Sequence, residues 1–156
     1  MNAFLRVFAL SLATVCAFAD DDLDDAFDKD VLIVEASEFA CHRLDIYLAL
    51  NNAQRARGLM YIRSLPPTTG MLFVYEPNSR ISMWMKNTYI SLDMVFARED
   101  GAVSSIARNT EPLSLRSVAS IEPVMFVLEL NAGTAEQLHI DEDSRLIWEP
   151  PQGDDE

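Results

Sequence analysis

Short apolar runs separated by turn residues dominate the chain from residue 31 onward, and long helical periodicity is nearly absent. Branched and aromatic residues in such runs fit the pleated surface of a sheet. The pattern therefore predicts a mainly β fold, an antiparallel β-sandwich or barrel-like domain with two short helices. The predicted strands are 31–35, 44–50, 71–75, 81–86, 92–98, 102–108, 124–130 and 145–148.

Two helix signals interrupt the strands. Asn51 supplies a capping side chain for a short helix that runs through Arg57, and Gly58 is a natural C-terminal stop. Thr134 with Gln137 fits a capping box for the second short helix.

The middle of the chain predicts a meander of hairpins, because four of the apolar runs, from 71–75 to 102–108, follow one another at short intervals. Asp100-Gly101 gives the last pair a tight turn. Residues 109–123 are polar and Pro-bracketed, which predicts a long loop with a short strand inside it, able to act as a flap over a site. The run 124–130 is apolar on both faces, as expected of a central strand.

The N-terminus indicates export. Arg6 precedes an apolar run at 7–13 that closes on Ala17-Phe18-Ala19, which is the plan of a cleavable signal peptide. The domain prediction is a signal peptide at 1–19, an acidic disordered leader at 20–30, a single β-rich domain at 31–149 and an acidic tail at 150–156. We expect a periplasmic or secreted protein with no stable membrane span after cleavage.

The formal net charge of −13 disfavours nucleic acid as a partner. Cleavage would also remove Cys16 and leave Cys41 alone, so the mature chain would have no internal disulfide. The partners expected from the sequence are a small polar or anionic ligand or an envelope protein.

Polar side chains gather on two of the predicted strands. Alternation puts Trp84 and Lys86 on one strand face. A four-residue hairpin loop after Lys86 would set Trp84 opposite Asp93 and make Lys86 and Asp93 diagonal neighbours. Glu129 is the one acid of the central strand, and a buried carboxylate must be paired or protonated, with Lys86 or Arg57 as candidate counter-charges. The predicted ligand-binding residues are Arg57, Trp84, Lys86, Asn87, Asp93, Glu129 and Asn131.

Other interpretations of these residues stay open. The polar cluster could be an internal ion-pair network that only fixes the fold. Asp93 or Glu129 could act as an acid or base, although neither a nucleophile nor a partner base is visible. The methionines could offer thioether ligands to Cu(I), but apolar neighbours make core packing the simpler explanation. No cofactor and no metal site are predicted.

Several ordered motifs show a resemblance to a known family. They are Arg57-Gly58-Leu59-Met60, Gly70-Met71-Leu72-Phe73, Trp84-Met85-Lys86-Asn87-Thr88, Leu92-Asp93 and Leu128-Glu129-Leu130-Asn131-Ala132-Gly133. On these residues the chain resembles the family called domain of unknown function 192 over about 31–149. The resemblance implies a compact β-sandwich-like domain that is often exported, and it implies no reaction. Two departures are Met83, where an aromatic residue is usual before Trp84, and Asp141-Glu142-Asp143, where a Gly-Asp turn is expected.

The functional hypothesis from the sequence is an exported binding module for a small polar or anionic ligand or a glycan. The alternative is an envelope-associated structural or protein-interaction module without a ligand. A hydrolase-like enzyme is the third interpretation.

Overall fold

A computed structural model describes residues 21–37 and 40–150 of the chain. Seven strands form one curled sheet in the order β6-β5-β8-β3-β2-β1-β9, and β4 pairs with β7 in a separate two-stranded ribbon. The predicted signal peptide and the last six residues of the predicted tail, 151–156, lie outside the described residues. The elements are α1 Asp21–Asp24, β1 Lys29–Ser37, β2 Ala40–Ala49, α2 Asn52–Arg57, β3 Thr69–Ser79, β4 Ser82–Met83, β5 Leu92–Ala97, β6 Val103–Ala107, β7 Val118–Ala119, β8 Val124–Asn131, α3 Thr134–Gln137 and β9 Arg145–Ile147.

The predicted mainly β, barrel-like class is confirmed, with one departure from the antiparallel pattern. β2 and β3 run parallel, from Asp45 opposite Thr69 to Ala49 opposite Phe73. Parallel neighbours need a crossover connection, and here α2 with the segment up to residue 68 supplies it. At the two ends of the sheet, an isolated bridge joins Ala102 to Arg145, so the sheet curls until its outer strands meet.

The prediction of a meander of hairpins from these four runs is wrong, because among them only β5 and β6 form a hairpin. β3 pairs with β2 and β8, and β4 leaves the main sheet to pair with β7. The prediction of a short strand within the long loop 109–123 is confirmed, because this loop contains β7. β8 lies between β5 and β3, so the prediction of a central strand at 124–130 is confirmed.

The two faces of the sheet each carry a hydrophobic core. One core, the inner core, contains Leu32, Leu72, Val95 and Leu128 from four strands. The opposite core, the outer core, contains Met71, Phe73, Met94 and Val127, and it also includes Met83 and Met85 of the ribbon segment. The buried hydrophobic residues that the structure describes lie between Leu23 and Leu146, so residues 21–150 form both cores.

Residues 21–30 differ from the disordered leader that their acidity predicts. Leu23 and Phe27 are buried in the outer core, at 2% and 4% exposure. Asp24 accepts a hydrogen bond from the hydroxyl of Tyr47 at 2.7 Å and forms an ion pair with Lys29 at 2.6 Å. These two apolar side chains, four positions apart, pack the segment against the domain. The acidic composition of the segment gives no indication of this packing.

The two predicted helices form, but their caps differ. Asn51 accepts from the Gln54 amide, and the Gln54 side chain accepts from the Asn51 amide, so the first helix has a capping box. Gly58 ends it at φ 48, and a Cβ there would lie 3.1 Å from Phe73 Cζ. The predicted Thr134 capping box is wrong, since the N-cap is Gly133 and no side chain of the motif caps the helix. No helix of the described residues is long and apolar enough to cross a membrane.

Candidate functional site

A cleft of ≈ 390 Å³ opens beside α2, over the outer-core face of the sheet. Its walls come from α2 and the segment after it, from β4 and Trp84, from two residues of β3, from Thr88 and from one residue of β8. Of the predicted ligand-binding residues, it brings together Arg57, Trp84 and Glu129. The other lining residues are Asn52, Arg55, Ala56, Gly58, Leu59, Met60, Phe73, Tyr75, Ser82, Met83 and Thr88.

Glu129 lies at the floor of this cleft. Its neighbours across the sheet are Met71 on β3 and Met94 on β5, so its side chain lies between two thioethers on the outer-core face. The residue is 4% exposed, and within the described residues its carboxyl makes no hydrogen bond and no ion pair. Burial penalises the carboxylate and raises the pKa of Glu129 to about 8. Glu129 therefore holds its proton at neutral pH and can donate a hydrogen bond into the cleft.

Tyr75 lies near Glu129 in the cleft. Its hydroxyl donates to Met83 Sδ at 3.3 Å, and burial together with the charge of Glu129 raises the pKa of Tyr75 to about 12. The Arg55 guanidinium lies over the Tyr75 ring, with Cζ 5.1 Å from the centroid. Arg55 also donates to the carbonyls of Leu50 and Val74, so its main role is to fix α2 against β3.

Trp84 forms the exposed rim of the cleft. The predicted alternation is confirmed, because Met83 and Met85 are buried while Trp84 and Lys86 are exposed. Trp84 is 49% exposed, and Lys86 Nζ lies 4.9 Å from its ring centroid. A cation over the indole face leaves the opposite face of the ring to the cleft or to solvent. The predicted Trp84–Lys86 pair is thus present, with Lys86 next to the cleft rather than in its lining.

Asp93 is not a neighbour of Lys86, because the hairpin that would join them does not form. Its side chain is fully buried and accepts from the amides of Asn109 at 2.9 Å and Ala135 at 3.0 Å. It alternates with the outer-core residue Met94, so it lies on the sheet face opposite to Glu129. Asp93 therefore anchors the start of α3 and the long loop, and does not contribute to the cleft.

The two asparagines of the predicted set hold main chain and aromatic groups. Asn87 donates to the Tyr61 hydroxyl at 2.9 Å, and its carbonyl accepts from the Tyr61 amide at 2.8 Å. Asn131 donates to the carbonyls of Leu65 at 2.8 Å and Pro66 at 3.3 Å. Asn87 therefore fixes the segment that borders the cleft, and Asn131 fixes the crossover between β2 and β3.

Sequence reasoning missed Tyr75, Met60, Asn52 and Thr88 as cleft residues. Tyr75 was within reach, because it shares a strand face with Met71 and Phe73 in a strand predicted to lie near the core. The others come from segments whose approach depends on the parallel β2–β3 crossover. The sequence pattern indicates hairpins alone, so it does not predict that α2 lies beside β4.

Charge is distributed unevenly around the cleft. The stretches 46–75 and 77–92 contain no acidic residue, although the chain as a whole has 25 acids. The same stretches carry five cations, which are Arg55, Arg57, Arg63, Arg80 and Lys86. Of these cations, Arg55 and Arg57 line the cleft, and its lining has no acid besides the neutral Glu129, which favours an anionic over a cationic ligand.

A second cleft, of ≈ 570 Å³, lies at the other end of the sheet between α1 and β2. Its charged groups already have partners. Asp24 pairs with Lys29, Asp45 pairs with Arg43 at 2.9 Å, and Asp30 accepts from Trp148 Nε1 at 2.8 Å. Of the two, the cleft beside α2 is the better candidate, because its lining includes Glu129, a buried polar side chain without a partner among the described residues.

A curled sheet with a hydrophobic core on each face and a cleft beside one short helix defines a small, mainly β domain. The chain belongs to the family called domain of unknown function 192, described as uncharacterized ACR, whose model matches residues 33–148.

Two solved structures agree with this fold and family. One is a protein from Sinorhizobium meliloti 1021, named as a candidate transcription regulator, with 40% identity, 78% of this chain and 94% of that chain covered, and a TM-score of 0.76. The other is a protein of unknown function from Novosphingobium aromaticivorans DSM 12444, with 32% identity, 77% and 85% covered, and a TM-score of 0.74. No curated protein matches this chain.

Proposed function

We propose that this protein is an exported binding domain that holds a polar, preferably anionic, ligand in the cleft beside α2. The observation that carries the proposal is Glu129, a buried carboxyl that opens into the cleft and meets no partner among the described residues. The cleft leaves this hydrogen-bond donor accessible, and a ligand that accepts a hydrogen bond from it would gain about 0.5–1.5 kcal/mol net.

The ligand class follows from the groups around Glu129. The protonated carboxyl of Glu129 donates a hydrogen bond, and the cleft lining holds Arg55 and Arg57 and no acid besides Glu129. The exposed Trp84 adds an aromatic face that a sugar ring or another flat group can contact. These groups together suit carboxylates, phosphate esters and uronic sugars. Export rests on the N-terminal pattern of Arg6, an apolar run and Ala17-Phe18-Ala19.

A thermal-shift screen tests the proposal. Residues 20–156 are screened against carboxylates, phosphate esters, neutral sugars and uronic sugars, and specific binding raises the melting temperature by mass action. We expect an anionic hit to stabilise the domain by about 2.7 kcal/mol at 100 times its Kd. Trp84→Ala should lose most of the shift, because it removes the rim of the cleft.

The matched control is Ile121→Ala, another exposed large hydrophobic side chain, which does not line the cleft. A hit that survives Trp84→Ala and is lost in Ile121→Ala would place the ligand elsewhere. Stabilisation by none of the compounds, with all variants folded, would remove the support for a small-ligand site.

A further inference from the structure

The β4 strand presents one free edge. In the part of the chain that the structure describes, β4 pairs with β7 alone, in the register Ser82 opposite Ala119 and Met83 opposite Val118. The Ser120 amide donates to the Ile81 carbonyl at 2.9 Å. Main-chain hydrogen bonds in an antiparallel pair alternate, so the bonded positions on this strand are Ile81 and Met83.

Ser82 and Trp84 are therefore the positions whose main-chain groups face away from β7. Within the described residues, their amides and carbonyls have no hydrogen-bond partner. Their side chains do not cover this edge either. Ser82 Oγ lies 2.6 Å from Ser117 Oγ, which belongs to the loop that carries β7. The Trp84 side chain is half exposed.

The free edge borders the cleft. Ser82, Met83 and Trp84 all line it, together with Gly58, Leu59 and Met60 of the segment after α2. An extended main chain placed in the cleft would run beside two outward amides and two outward carbonyls. Such a row of unpaired groups is the template on which peptide-binding domains add a strand.

We propose that the ligand of this cleft is an extended peptide segment carrying a carboxylate, which adds a third strand to the outer edge of β4. This inference rests on the proposed function and names its ligand class. The main chain of the peptide pairs with Ser82 and Trp84. Its carboxylate lies against the cleft lining, which holds Arg55 and Arg57 and no acid besides Glu129, with Lys86 beside Trp84.

Charge complementarity supports a peptide with an acidic group over a neutral or basic one. The stretches 46–75 and 77–92 have five cations and no acid, in a chain with a net charge of −13. A basic peptide would be drawn to the acidic remainder of the surface instead. The alternation of side chains along an added strand would also direct every second peptide residue toward the floor at Glu129.

The test starts from selection with a displayed random ten-residue peptide library on immobilised residues 20–156. The selected peptides are then measured against two proline variants. Ser82→Pro removes the outward amide of β4 and leaves its bonds to β7 intact, because proline is tolerated at the edge of a sheet. Ala119→Pro is the matched control, since it removes the equivalent outward amide on the other side of the ribbon.

We expect acidic peptides to be selected, with a Kd about tenfold weaker for Ser82→Pro. Ala119→Pro should change the Kd by less than about twofold. N-methylation of the peptide amides that face β4 should abolish binding, because these amides donate to its carbonyls. N-methylation of the alternate amides, which face away from β4, should leave binding unchanged.

Three outcomes would overturn the inference. The library could give no binder, the binders could have no acidic preference, or their Kd could be equal in the wild type and Ser82→Pro. The proposed function has a separate readout in the small-molecule screen. A screen hit without a peptide binder would contradict strand addition alone, and failure of both would contradict the site.

Discussion

At pH 8, Glu129→Gln is expected to raise the free energy of unfolding, although it changes a fully buried position. The folded protein keeps the Glu129 proton up to a pKa of about 8, whereas the unfolded chain releases it near 4.5. Between these values the native state binds more protons, so rising pH destabilises it. Glutamine does not titrate and removes this penalty, which is on the order of a few kcal/mol because each pKa unit corresponds to about 1.4 kcal/mol.

The pH profile separates this effect from simple repacking. At pH 4.5 the two proteins should have nearly equal stability, and the advantage of the variant should grow up to about pH 8 and then level off. Urea unfolding at several pH values measures it. Glu142→Gln, at an exposed position, is the control for removing one negative charge. A difference between Glu129→Gln and the wild type that stays constant with pH would contradict the assignment.

Asp93→Ala is expected to lower the free energy of unfolding by roughly 3 kcal/mol or more. The substitution leaves the Ala135 amide without its acceptor in a buried place and the Asn109 amide without its acceptor in a partly buried one. Buried donors left unsatisfied cost about 1–3 kcal/mol each, and a small cavity adds to the loss. Asp93 fixes α3 and the long loop, so its loss should also speed hydrogen exchange at both amides.

Asp100→Ala provides the matched control for Asp93. Asp100 is exposed and accepts from the Ala102 amide at 3.0 Å, so its removal should cost only about 0.5–1 kcal/mol. Asp93 and Glu129 lie on opposite sheet faces, and the folded fraction of Asp93→Ala should therefore still bind the cleft ligand. Equal losses in the two alanine variants would contradict the anchoring role of Asp93.

The local pattern predicted most of the secondary structure. Strand positions, the Asn51–Gly58 helix and the central place of β8 depend on neighbouring residues, and the sequence indicates them directly. The pairing of strands depends on contacts between distant residues, and hairpins were the simplest hypothesis for runs at short intervals. The parallel β2–β3 pair and the departure of β4 to β7 had no local signal.

The same limit explains the outcome for the site. Glu129 stands out in the sequence because it is the one acid of an apolar strand, and the Trp84–Lys86 pair follows from alternation. Asp93 was joined to them through a hairpin that does not form, and its true partners on Asn109 and Ala135 are main-chain amides, which carry no sequence signal. No motif marks Tyr75 as a cleft residue, and its position in the cleft follows from the fold.

The most direct test of this account is the titration of the Glu129 side-chain carboxyl by carbon NMR in residues 20–156, alone and with the best ligand from the screens. We predict a midpoint near pH 8 for the protein alone and a shift of the Glu129 carboxyl signal when the ligand binds. A midpoint near the ordinary value of 4.5, or a ligand that leaves this signal unchanged, would contradict a protonated carboxyl at the floor of a binding cleft.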